Sequence, residues 1–297
     1  MTTNLRGRTI AITGASSGIG AATALACARE GMNVVLAARR EDRLAQAVAL
    51  INADARVREA QGRAMSVRAD VTNPDDCRAI VDAAVATYGS LFAMFANAGY
   101  GLERPVLETS DAEFREMFEV NFFGTLHALR AAAPVLTAAG EGHLILCSSC
   151  VAKIGVPYFA AYSASKAMQD HVGRALRHEL DGTGVCVWTV HPIGTNTEFF
   201  DKAAALSGES WLDHTPASLM QSPDVVAQRI VRAMKRPAGD ARRGSGSGGT
   251  EIWTRWGLPM VFAASGAFPR LTDWALRTLF RRRRAKSQRA STPSASR

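Results

Sequence analysis

Six apolar runs rich in β-branched residues, at positions 9–13, 33–37, 64–68, 91–96, 143–148 and 185–190, recur along the chain with helical stretches between them. They are hydrophobic almost without interruption. A strand that alternates apolar and polar residues has one wet face, whereas a continuous apolar run belongs to a strand covered on both sides. The pattern therefore predicts an α/β fold, a doubly wound parallel sheet with helices on both faces. A short candidate at 251–254 brings the sheet to about seven strands. In such sheets ligands bind in the crevice at the carboxyl ends of the strands.

Among 297 residues, 47% are hydrophobic and 21% charged, enough apolar material for a sizeable core. The formal net charge is +8, but Arg281, Arg282, Arg283, Arg284, Lys286, Arg289 and Arg297 supply +7 with no acid among residues 281–297, so the rest carries +1. A basic excess confined to a Ser-rich end does not form a nucleic-acid-binding face, and no nucleic-acid partner is expected. Five scattered cysteines, an odd number, do not make a disulfide framework and point to a reducing, cytoplasmic setting. The start of the chain is short and polar and lacks the apolar region of a secretory signal.

Residues 1–255 read as one domain, 256–280 as an apolar and amphipathic extension, and 281–297 as a basic, disordered tail. Helix starts are marked by Asn73-Pro74, by Ser222-Pro223 and by the capping box Ser110-x-x-Glu113. The Gly- and Ser-rich stretch at 237–250 reads as a surface loop.

Between the first apolar run and an Ala-rich helix at 21–30 lies Gly14-Ala15-Ser16-Ser17-Gly18-Ile19-Gly20. Glycines at a strand-to-helix turn let backbone amides approach a pyrophosphate, which the helix N-terminus then favours electrostatically. Tyr162 and Lys166, four apart on a predicted helix, share one face. A phenol with a reference pKa of about 10 exchanges protons poorly near neutrality, and an adjacent ammonium lowers that value. Ser149 ends a strand, where its hydroxyl can hold a substrate oxygen. Cys147-x-x-Cys150 has the spacing of a redox dithiol or half a zinc site, but there is no second pair and no His cluster with ligand spacing, so no metal is expected.

Taken in order, Thr13-Gly14-x-x-x-Gly18-x-Gly20, Asn97-Ala98-Gly99, Asn121, Ser149 and Tyr162-x-x-x-Lys166 resemble the short-chain dehydrogenase/reductase family over about residues 7–255. The resemblance implies a Rossmann-type oxidoreductase moving hydride between a nicotinamide cofactor and a carbonyl/alcohol substrate. Its catalytic set would be Asn121, Ser149, Tyr162 and Lys166, with Asn121 helping to hold a water on a proton path from Lys166. The cofactor would be bound by Gly14, Ser16, Ser17, Gly18, Ile19, Gly20, Asn97, Ala98 and Gly99, together with Tyr162 and Lys166. Asp70-Val71 resembles the family's pair beside the adenine, although Asp70 also suits a turn cap. Ala38 stands where an acid would bind the ribose of NAD, and Arg39 follows it, so NADP(H) is expected with Arg39 on the 2′-phosphate.

The family's Pro-Gly after the sixth strand reads Pro192-Ile193-Gly194 here, which leaves both Thr195 and Thr197 as candidates for the nicotinamide end. Apolar residues at 151–159, Phe199-Phe200 and 211–220 suggest a lipophilic substrate or, equally, a lid or a subunit contact. A homodimer or homotetramer is implied by the family. The extension at 257–280 suits either burial against the body or a second subunit, or peripheral contact with an anionic membrane through an amphipathic helix beside the arginines. The alternative of another class is a cofactor-binding sensor or membrane-associated scaffold with little turnover, and among enzymes an epimerase using the same redox centre.

Overall fold

The computed structural model describes residues 2–207, 220–236 and 250–290. The expected loop at 237–249, most of the 211–220 segment and the tail at 291–297 lie outside them. The seven strands are β1 (Thr9–Thr13), β2 (Asn33–Ala38), β3 (Arg63–Arg68), β4 (Ala93–Ala96), β5 (Gly142–Cys147), β6 (Val185–His191) and β7 (Glu251–Trp253). They form one sheet in the order β3-β2-β1-β4-β5-β6-β7. Every pairing is parallel. The central strands β1, β4, β5 and β6 are buried along their whole length, which is why their sequences show no polar alternation.

Helices cover both faces. Helix α1 (Gly18–Arg29), α2 (Glu41–Ala53), α3 (Ala55–Ala60) and α9 (Pro223–Met234) bound one core, around Ile12, Phe95, Trp188 and Ile230. Helix α4 (Pro74–Tyr88), α6 (Gly124–Ala139) and α7 (Ala160–Glu179) bound the other, around Val35, Met94, Leu136 and Leu144. The helix starts follow local capping chemistry. Asn73 and Ser222 accept from the amides of Asp75 and Asp224 ahead of their prolines, and Ser110 and Glu113 close a reciprocal box on α5 (Asp111–Phe118). Strand order reverses between β1 and β4, so the crevice opens at the carboxyl ends of these two strands and of β5.

One expectation changes. Asn121 lies not in a regular helix but in a π-helical turn, Glu119–Phe123, between α5 and α6. The extra residue in that turn lets the chain bulge toward the crevice. After β7 come α10 (Leu258–Ala267) and α11 (Pro269–Ala290). The backbone is helical from Pro269 to Ala290. Helix α8 (Phe199–Ser207) follows the β6 loop and lies over the crevice.

Candidate active site

A cleft of about 330 Å³ runs from the glycine turn to the carboxyl ends of β5 and β6. At one end, Gly14 and Gly18 adopt left-handed backbone with φ of 64° and 58°. A Cβ on Gly14 would stand 2.8 Å from Ala98 Cα, so only glycine allows the first and fourth strand ends to meet here. Asn97 fastens that meeting, its side-chain amide donating to the carbonyls of Thr13 (3.0 Å) and Gly14 (3.3 Å). The Thr13 hydroxyl accepts from the amides of Asn97 and Ala98.

Ser17 precedes α1 in an extended conformation and makes no side-chain capping bond, and the first turn carries no acid. The amides of that turn are thus free of any side-chain cap and set for an anion, as a dinucleotide's pyrophosphate requires. Ile19 packs beside the core and lines the cleft.

The arginine that faces this turn is Arg40. Its guanidinium donates to the hydroxyls of Ser16 and Ser17, both at 3.0 Å, and pairs with Glu198 at 3.2 Å. Arg39, the residue singled out from sequence, extends from the end of β2 with its side chain 70% exposed and 3.7 Å from Asp70. Asp70 also accepts from the amide and hydroxyl of Thr72, so it caps a turn as well as pairing with Arg39. Val71 is buried and packs toward Gly124.

At the other end Tyr162 and Lys166 lie on one face of α7. Lys166 is buried, donates to the Cys147 carbonyl at 2.7 Å and sits 5.6 Å from the centre of the Tyr162 ring. Gly99 makes room for it. A Cβ there would lie 2.9 Å from Asn121 Oδ1 and 3.4 Å from Lys166 Nζ. Phe159 and Phe199 flank the Tyr162 ring at 5.3 and 5.2 Å.

This apolar casing pushes the phenol above its ordinary value by desolvation, while a hydrogen bond with Ser149 pulls the other way. Burial likewise pushes the Lys166 ammonium down. Desolvation is the largest influence on the phenol within this casing, with Lys166 close below the ring. Ser149 takes the amide of Val151 on its hydroxyl at 3.3 Å, which orients it at the mouth of the 3-10 turn Cys150–Lys153.

Asn121 is fully buried. Its carboxamide accepts from the Tyr100 amide and donates to the Tyr100 carbonyl, to Met117 Sδ and to Ser165 Oγ. Its carbonyl accepts from Thr125 and Gln169. The residue thus ties the π-turn to α7 beside Lys166.

Pro192 lines the cleft, and its carbonyl accepts from Cys150. Thr195 is turned inward, donating to the Ile193 carbonyl and accepting from Gln221. Thr197 instead lies across the glycine turn, its methyl 3.1 Å from where a Gly18 Cβ would stand. The Cys147 and Cys150 thiols are buried and pushed up, Cys150 to about 11, the reverse of a reactive or metal-binding thiol.

Behind Ser149 lies a cluster not foreseen from spacing. His191 is fully buried, with Nδ1 3.3 Å from the Ser149 carbonyl and Nε2 3.4 Å from Asp170 and 3.8 Å from Glu251. Burial pushes its imidazolium down, against the pull of the two carboxylates. Asp170, His191 and Glu251 present atoms within 4.8 Å of one another, but Lys153 pairs with both acids, so the protein itself supplies the cation there.

Residues 8–206 match the short chain dehydrogenase family. An uncharacterized oxidoreductase of Listeria monocytogenes is 32% identical over 235 residues, 78% of this chain and 92% of that protein. The uncharacterized oxidoreductase YxnA of Bacillus subtilis is 31% identical over 297 residues, 98% of this chain and 76% of that protein. A metagenomic short-chain oxidoreductase solved with NADP superposes with a TM-score of 0.67 at 28% identity, covering 84% of this chain and 97% of that one. A short chain dehydrogenase of Mycobacterium paratuberculosis bound to NAD gives 0.70 at 25% identity, with 84% and 97% covered.

Proposed function

The chain belongs to the short-chain dehydrogenase family, and from that premise we propose that it transfers a hydride between NADP(H) and a carbonyl/alcohol substrate with Tyr162 as general acid/base. One observation carries the reading: Tyr162, Lys166 and Ser149 converge at one end of a cleft whose other end is the glycine turn. The glycine turn and the cleft lining would hold the dinucleotide, which would supply the hydride chemistry when bound.

The chain's own residues do the rest. Ser149 and Tyr162 hold the substrate oxygen, Tyr162 passes the proton at that oxygen, and Lys166 keeps a positive charge beneath the ring. The aromatic residues around Tyr162 exclude water, and Asn121 positions the π-turn against α7. Thr195 and Thr197 both line the cleft and both stand as candidates for the nicotinamide end.

The related structures carry NADP in one case and NAD in another, so the preference rests on this chain's residues. Ala38 leaves no acid for a ribose diol, and Arg39 and Arg40 bring two guanidinium groups to the end of β2. Arg39→Asp weakens NADPH by about tenfold to a hundredfold and leaves NADH nearly unchanged, and Arg40→Ser reduces NADPH affinity further in the double variant. Fluorescence titration with both cofactors checks this; equal loss of both refutes the assignment.

The apolar lining, Val151, Val156, Phe159, Phe199 and Phe200, suits a lipophilic substrate. Cofactor turnover against a panel of aldehydes, ketones and alcohols tests the reaction, with activity rising along an alkyl series. No turnover with any member, despite tight NADPH binding, favours a sensor. The reading includes a homodimer or homotetramer and a cytoplasmic setting, which five buried cysteines suit.

A further inference from the structure

Helix α10 is a ten-residue segment, LPMVFAASGA, without one charged side chain and without one buried residue. A helix apolar on every side belongs in a core or in lipid. Here Trp253 stacks on Phe262 at 5.6 Å, and the outward side chains remain exposed: Met260 at 72% and Val261 at 61%. Trp256 before it is 96% exposed, and Phe268, Leu271 and Trp274 after it are exposed by more than 60%. The structure thus leaves Trp256, Met260, Val261, Phe268, Leu271 and Trp274 uncovered by the body. At 1.5 Å per residue α10 is about 15 Å long, half the roughly 30 Å of a hydrocarbon core. No described helix is long and apolar enough to cross a membrane.

Charge decides what covers this surface. Residues 256–297 hold Arg270, Arg277, Arg281, Arg282, Arg283, Arg284, Lys286, Arg289 and Arg297 against the single acid Asp273. That net +8 is the whole net charge of the chain, so residues 1–255 are neutral. A second copy would set two such segments against each other, and the neutral body offers no compensating field. An anionic bilayer supplies both an apolar interior for the tryptophans and α10 and a negative surface for the arginines.

We propose that α10 and the first half of α11 seat the protein on the surface of an anionic membrane. The seat adjoins the cleft. Phe280 of α11 lies 6.0 Å from Tyr158, whose backbone is held left-handed at φ 66° and whose neighbours Val156 and Phe159 line the active site. Docking through α11 therefore brings the bilayer against the outer side of the segment that walls the substrate end. The inference stands on exposure and charge and is independent of the reaction.

Co-sedimentation of the full chain with phosphatidylcholine vesicles, with and without phosphatidylglycerol, tests it. The protein is expected to pellet with the anionic vesicles and to be released at 1 M salt, where screening reaches about 3 Å. Replacing Arg281, Arg282, Arg283 and Arg284 together by Gln lowers partitioning by at least about tenfold, since each basic residue near such a surface is worth about fivefold. Met260→Asp with Val261→Asp lowers it similarly, and both variants keep the parent's thermal melt. The proposal is overturned by absence of pelleting on anionic vesicles at low salt, by equal pelleting on neutral ones, by insensitivity to the variants, or by a lipid-free dimer in light scattering that the Asp variant abolishes.

Discussion

Tyr162→Phe lowers kcat by about a thousandfold or more while the NADPH dissociation constant stays within about twofold. The substitution removes one oxygen and nothing else of consequence. The ring is 9% exposed and keeps its contacts with Phe159 and Phe199, so the apolar wall is intact. On the proposed mechanism, what is lost is the proton donor at the substrate oxygen, together with the hydrogen bond shared with Ser149. Removing a positioned acid/base costs about 10² to 10⁴ in rate, and here the same group also grips the oxygen, so the upper part of that range applies. Because burial holds the phenol above its ordinary value and the Lys166 ammonium below its own, the oxidation rate should climb with pH as the phenol gives up its proton. The Phe variant should lose that climb. Steady-state rates measured across pH check both statements, and residual turnover above about a tenth of the parent rate removes Tyr162 from the reaction.

How much of this was visible beforehand depends on whether a residue's role is local. The sheet was legible because burial on both faces writes itself as unbroken apolar runs, and because Asn73, Ser110 and Ser222 cap their helices through bonds made within a few positions. The glycine turn was legible for the same reason, its backbone requirement being met by Gly14 and Gly18 themselves. Arg40 was missed because two consecutive arginines look alike in sequence. Which one faces the glycine turn depends on how the chain leaves β2 and enters α2, and that geometry sends Arg40 to Ser16 and Ser17 and Arg39 to Asp70. The π-turn at Asn121 was read as ordinary helix, since one extra residue in a helical run leaves the apolar period nearly unchanged. Spacing reveals that Tyr162 and Lys166 share a face, but not that Phe159 and Phe199 desolvate the phenol.

The cluster behind Ser149 carries the largest expected effect on stability. Lys153, Asp170, His191 and Glu251 come from four separate elements, so no spacing announced them, yet Lys153 and Asp170 are only 16% and 7% exposed. Lys153→Met strands Asp170 in a region with little water and leaves Glu251 to Arg174 and Trp253. Breaking a buried pair by removing one partner costs about 3–5 kcal/mol, and for a chain of this size that lowers Tm by roughly 5–15 °C. Arg174, which also pairs with Glu251 but is 57% exposed, costs under about 1 kcal/mol when replaced by Met.

Two further measurements make the origin of the loss visible. Asp170→Leu added to Lys153→Met recovers part of it, because the stranded charge is gone and only packing differs. The pH dependence has a definite sign. In the parent the Glu251 carboxyl is held at about 2 by His191, Lys153, Arg174 and Trp253 against the opposing pull of burial. A depressed carboxyl contributes stability that is complete above its unfolded value near 4.5 and disappears as pH falls toward about 2. Without Lys153 the Glu251 carboxylate protonates at higher pH, so the gap between parent and variant narrows on acidification. Urea melts of both proteins at pH 8 and pH 5 measure that gap. If it is under about 1 kcal/mol at pH 8, or widens at pH 5, Lys153 is not what holds these acids behind Ser149.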